Sequence, residues 1–260
     1  MNKGQAGQAV LLILLVVTVA LGLGLSIIAQ STTDVRISQQ EQDAARAFNA
    51  AEAGIEDALK QITTIALGTP QILDIDNIPV EYTVTGRDFL EAKFSENESA
   101  QLILDGNINT LTVEWVDKNS DQENPNNCTG VTAASGQTAA SLLISVIAAD
   151  YQVRRFGLNA CALAAGNNLT DVAQVGSDQY LRSYNLNIAA GDQLVRIRPL
   201  YNLASLRVTA ANPLPTQAYQ INSSAQTETQ ESKAIEVTRL EPGTPSVFDY
   251  VLFSGGDLVK

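Results

Sequence analysis

The chain has 260 residues, 45% of them hydrophobic and 17% charged, and its 28 acids against 16 bases give a formal net charge of −12. It has no His and only two Cys, Cys128 and Cys161, which excludes His-dependent triads, His-bearing zinc sites and any four-cysteine metal or cluster site built from this chain alone. The acidity excludes nucleic-acid binding through a basic patch, and 5% aromatic content leaves few residues to stack on single strands.

No charge lies between Lys3 and Asp34, and Ala9 to Ala29 is apolar apart from Thr18, Ser26 and small glycines. As a helix this run is about 31 Å long, enough to cross a hydrocarbon core. A cleavable secretory signal has an apolar region of roughly 7–15 residues before an A-x-A-like site. This run is longer and ends Ile27-Ile28-Ala29, so it reads as a spanning helix. Lys3 and the amino terminus are the only positive charges on the short side, which places that end in the cytoplasm and the rest outside. Gly22 and Gly24 lie within the span, either as ordinary membrane-helix glycines or as a packing face or extensible segment.

From Gln30 the chain is rich in Ala, Gln and Glu, with no Pro or Gly before Gly54, so the helix is predicted to continue to about Ala66. Phe48, Ala51, Ile55, Leu59 and Ile62 follow i, i+3, i+7, i+11, i+14 spacing, a stripe predicted to pack on a globular head. Glu52 and Glu56 repel at i, i+4, whereas Glu56 and Lys60 attract. Gly68 and Pro70 supply the stop signal. Unbroken from Gln8, such a rod would measure about 90 Å.

A polar leader ending in Gly7, a Gln8 start, a long uncharged helix and the tract ARAFNAAEAGIEDAL at Ala45 to Leu59 together resemble type IV pilins, and the tract is most similar to PilX-type minor pilins. The resemblance covers the first quarter of the chain. It implies cleavage by a prepilin peptidase between Gly7 and Gln8, with a second Gly-Gln pair at Gly4-Gln5 as the alternative point. It also implies later extraction of the helix from membrane lipid into a filament, so other pilin subunits and the inner-membrane assembly machinery are the expected partners. Many major pilins carry a Glu five residues into the mature chain; here that place is Leu12, or Ala9 for the alternative cut. The missing carboxylate fits a minor or tip subunit better than the main repeating one.

Beyond Pro70 the hydrophobic period becomes two-fold. Val80, Tyr82 and Val84 alternate with polar residues, as do Leu111, Val113 and Trp115. Further predicted strands are Leu142 to Ile147, Tyr151 to Leu158, Leu181 to Ile188, Gln193 to Arg198, Leu206 to Ala210, Tyr219 to Asn222, Ala234 to Leu240 and Tyr250 to Phe253. The expected fold is α+β: leader 1–7, membrane and filament-core helix 8–29, amphipathic continuation 30–68, and a mainly antiparallel extracytoplasmic head, 70–260.

Asp117 to Gly136 is polar and Asn-rich, contains Pro125 and reads as an exposed loop. Its Asp117, Asp121 and Glu123 lack the D-x-D-x-D-G pattern of a calcium loop, so a solvated acidic surface is expected and no metal. Cys128 lies in this loop and Cys161 follows a predicted strand; an oxidising compartment permits their pairing, the alternative being two buried thiols. Asn97, Asn168 and Asn222 begin N-x-S/T triplets, which carry little weight in a chain of this kind. Gln217 to Lys233 reads as part of a hairpin with a Ser/Thr/Gln-rich tip, a natural contact surface.

No G-x-x-x-x-G-K-[ST] loop, G-x-S-x-G elbow or S-x-x-K element occurs, and Ser232-Lys233 are neighbours whose side chains diverge on a strand. The expectation is a non-enzymatic pilin-like subunit without cofactors, in the membrane first and in an extracellular filament later. The alternative is a single-pass anchored protein whose extracytoplasmic head binds a partner.

Overall fold

A computed structural model describes residues 6–123, 128–133, 136, 138–164, 166–177 and 179–244. Gly4 and the strand predicted at Tyr250 to Phe253 lie outside the described residues.

Helix α1 runs without a break from Ala6 to Gln61, 56 residues or about 84 Å. It ends short of Ala66. The amides of Thr64 and Ile65 both donate to the Gln61 carbonyl at 2.8 and 2.9 Å, and the Thr64 hydroxyl donates to the same oxygen at 3.1 Å. Thr63, Thr64 and Ile65 are β-branched, which lowers helix propensity and lets a hydroxyl compete for the terminal carbonyl. The stop therefore comes before Gly68, whose φ of +75° forms the following turn.

Strands β1 (Gln71–Ile75) and β2 (Ile78–Arg87) form a hairpin around Asp76 and Asn77, which hold φ of 52° and 65°. Strands β3 (Leu90–Phe94), β4 (Ala100–Ile103), β5 (Thr110–Asp117) and the short β6 (Thr129–Val131) follow. Next come β7 (Ser141–Ala148), β8 (Val153–Asn159), and the two-residue pieces β9 (Ala162–Leu163) and β10 (Thr170–Asp171). The remainder are β11 (Tyr180–Asn187), β12 (Asp192–Leu200), β13 (Ala204–Ala210), β14 (Ala218–Gln226) and β15 (Ser232–Leu240). A long apolar helix followed by antiparallel-rich sheets is the α+β, pilin-like layout expected from sequence.

The described chain divides into two compact units, 1–83 with 222–237, and 84–221 with 238–260. In the first, Ala50 and Ala51 of α1 share a buried cluster with Ile78, Val80 and Ala225, flanked by Leu73, Ile75 and Ile235. In the second, sheets β10-β8-β7-β12-β4 and β11-β5-β13-β3 contribute to one core. Leu142, Ile144, Val146, Val195 and Ile197 line it from the first sheet, and Leu111, Val113, Trp115, Leu206 and Val208 from the second. The Trp115 indole N–H donates to the Ala140 carbonyl at 3.0 Å, satisfying the one polar atom of a fully buried ring.

The predicted alternation of β5 breaks at its end. Leu111, Val113 and Trp115 are buried, but so are Glu114 and Val116. Val116 has φ of +68°, an uncommon value for a β-branched side chain, and turns the strand there so that the two-fold pattern is lost. The acidic loop also differs from expectation at Glu123, which is 1% exposed rather than solvated. Its carboxylate accepts bonds from the Ser205 amide and hydroxyl, both 2.7 Å, and from the Asp117 amide at 3.2 Å.

Candidate functional site

Every residue of α1 from Leu11 to Gln42 is exposed. Leu11 to Ile28 present large apolar side chains around the whole circumference, and the helix is long and apolar enough to cross a membrane. Val35 and Ile37 continue this exposure beyond the span at 54% and 48%. The helix acquires a buried face only from Ala47 onward. An apolar helix with no covering inside its own unit needs lipid or other chains around it. The Gly7–Gln8 bond lies in the first turn of α1.

The packing stripe is composed differently from the sequence expectation. Ala51, Ile55 and Ile62 are buried and Leu59 is half-buried, but Phe48 is 47% exposed. The buried face is instead Ala47, Ala50, Ala51, Gly54, Ile55, Ala58 and Ile62. The expected stripe begins at Phe48, but close packing selects the small residues one position away. At Gly54 a Cβ would lie 2.4 Å from Ser223 Oγ and 2.8 Å from Val80 Cγ1, so only glycine permits this approach of helix to sheet. Alanines and a glycine at i, i+3/i+4, i+7 and i+11 were the signal available in the sequence.

Polar contacts fix the same packing. The Tyr82 hydroxyl donates to Asp57 Oδ2 at 2.7 Å, and Gln61 Nε2 donates to the same oxygen at 2.8 Å. Burial pushes the Tyr82 phenol up to about 12, with the Asp57 carboxylate adding to the effect. At the β14–β15 turn, Thr229 Oγ1 donates to Asp43 Oδ2 at 2.9 Å. Together Arg36, Gln39, Asp43, Thr229 and Glu231 help line an open depression of about 590 Å³. Glu56 and Lys60 pair at 3.8 Å while more than half exposed, which contributes little.

Cys128 and Cys161 form a disulfide. Among the described residues no group of three or more Asp, Glu or Cys is placed to hold a metal ion. The perturbed carboxylate is engaged structurally: burial alone would raise the Glu114 carboxyl, but the Ser177 amide at 2.7 Å and the Arg207 guanidinium hold it below the usual range.

Residues 6–56 match the family model PilX N-terminal. The chain carries a PilX-type pilin N-terminal domain. The matched segment runs from the first turn of α1 through Gly54 and stops within the stretch packed on the sheet. PilX proteins are a structural pilin family, related to type IV pili, rather than an enzyme family. No curated protein matches the chain.

Proposed function

We propose that this PilX-type protein is a minor structural subunit of a type IV pilus or a related filament. The observation that carries the reading is the contrast along α1: uncovered apolar surface on all sides from Leu11 to Ile28, then a tightly fitted small-residue face from Ala47 to Ile62. Before assembly the first part is covered by membrane lipid, with the amino terminus inside and the head outside. After cleavage between Gly7 and Gln8 by a prepilin peptidase it is covered by the helices of neighbouring subunits. Transfer from lipid to helix packing changes the apolar environment little, so association relies on side-chain packing and close approach. The Gly22 and Gly24 positions, with nothing within 4 Å of an added Cβ, supply room for that approach.

Leu12 in place of an acid suits a minor or tip position, since the subunit does not depend on a carboxylate in the bilayer to register against a neighbour. The head then modulates initiation, length or adhesion. Mass spectrometry of membrane and sheared-filament fractions tests the reading. A Gln8 amino terminus in the filament fraction is expected, and an intact Met1 in every fraction would remove the mechanism.

A further inference from the structure

We propose that Cys128 is the reactive sulfur through which the Cys128–Cys161 bridge is made, and that Arg182 activates it. Arg182 stands on β11, an edge strand of the β11-β5-β13-β3 sheet, opposite Trp115 of β5. Its Nε donates to the Ala160 carbonyl at 2.7 Å and its Nη1 to the Leu181 carbonyl at 3.4 Å, which aims Nη2 at Cys128 Sγ, 3.7 Å away. Among the described residues no carboxylate forms an ion pair with Arg182, so no carboxylate neutralises its charge beside the sulfur. A guanidinium at this distance favours thiolate over thiol. Among the described residues the competing group is the Ala160 carbonyl, 3.3 Å from the same sulfur, and Arg182 Nε already donates to it.

The two sulfurs differ in access as well. Cys161, just before β9, is 3% exposed, whereas Cys128 is half-buried. An external reactant therefore meets Cys128 first. In the reduced chain the Cys128 thiolate attacks one sulfur of a disulfide oxidant, either a thiol–disulfide oxidoreductase or a small disulfide. The oxidant's S–S bond breaks, one oxidant thiolate leaves, and a mixed disulfide forms at Cys128. Cys161, having lost its proton to solvent, then attacks Cys128 Sγ and expels the second oxidant thiolate. The chain loses two electrons and two protons, and the oxidant becomes a dithiol or two thiols.

Full-length chains carrying Cys161→Ala or Cys128→Ala, in detergent micelles, test this by iodoacetamide alkylation across pH, in native buffer and in urea. Cys128 is expected to show a native midpoint about one pH unit or more below its value in urea, where a thiol titrates near ~8.5, and to react faster than Cys161. Arg182→Lys should keep the lowered midpoint, and Arg182→Gln should return it, slowing alkylation at neutral pH about fivefold or more. Glutathione disulfide added to the reduced parent chain should leave its adduct on the Cys128 peptide. Equal native and urea midpoints, faster reaction at Cys161, or an Arg182→Gln variant with an unchanged midpoint would overturn the proposal. If Arg182→Gln does not fold, the native-against-urea comparison in the arginine-bearing chain decides.

Discussion

Gly54 and Ser223 meet where the spine is tightest, and the cost of disturbing them divides into opposing terms. Alanine at 54 gains up to about 1 kcal/mol of helix propensity. Overpacking against Ser223 Oγ and Val80 Cγ1, at 2.4 and 2.8 Å from the new Cβ, costs roughly 1–3 kcal/mol. Gly54→Ala is thus expected to lower stability by about 1–2 kcal/mol on balance, read by thermal or urea unfolding. Ser223 Oγ is buried with no hydrogen-bond partner among the described residues, so Ser223→Ala should be near neutral alone and should recover part of the loss in the double variant. Additive losses would place the clash elsewhere. Tyr82→Phe should cost about 1 kcal/mol by removing the bond to Asp57. The folded state keeps this phenol protonated up to about pH 12, while an unfolded tyrosine ionises near ~10. The contribution is complete below about pH 10 and is lost as pH rises toward 12, so the variant should show a shallower alkaline decline than the parent. Period alone could show that one face of residues 47–62 is buried. It could not show that alanine and glycine rather than Phe48 make the contact, because that depends on how closely a sheet distant in sequence approaches.

At the level of elements, alternation was legible where strands were long and one face met the core, as in β2, β5, β7 and β12. Strands β1, β3 and β4 were not: QILDI, LEAKF and AQLI are four or five residues long, and even the alternation of LEAKF is too short to stand out from its surroundings. The buried carboxylates were also illegible, since Glu114 acquires partners 63 and 93 positions away and Glu123 a partner 82 positions away, Ser205. These partners make unit-two stability sensitive to acid. Glu114 is held below its ordinary pKa, so its contribution is present above the unfolded value and disappears as pH falls through the folded one. Glu114→Gln is expected to lower stability by about 1–3 kcal/mol at neutral pH and to flatten the acid limb of an unfolding-versus-pH curve. An acid limb parallel to the parent's would assign the sensitivity to other groups. The disulfide closes a separation of 33 residues, and replacing both cysteines by alanine should cost about 3–4 kcal/mol in the chain-entropy picture. The loss should be accompanied by faster amide exchange in β6 and β9, whose parallel pairing sits beside the bridge.

For the molecule as a whole, the average composition conceals a sharp partition. Outside the first thirty-three residues the chain holds 28 acids and 15 bases, a net of −13, so nearly all the charge lies beyond the apolar span. A highly acidic exterior keeps heads soluble and mutually repelling, which in the proposed filament would leave attraction between subunits to the uncharged part of α1. Residues Leu11 to Gln42 are exposed, whereas the packed face starts at Ala47, so under the proposed function stability of the folded body and capacity to assemble would belong to different lengths of one helix. A chain starting at Gln30 should therefore unfold within about 0.5 kcal/mol of the full-length protein in the same buffer, as expected for removal of surface that makes no internal contacts. It should also remain in the aqueous phase on detergent partition and be missing from sheared filaments when expressed with an otherwise complete assembly system. A substantial drop in its melting temperature would mean that the apolar span supports the head. Recovery of the truncated chain in filaments would transfer the assembly role from the spine to the acidic exterior.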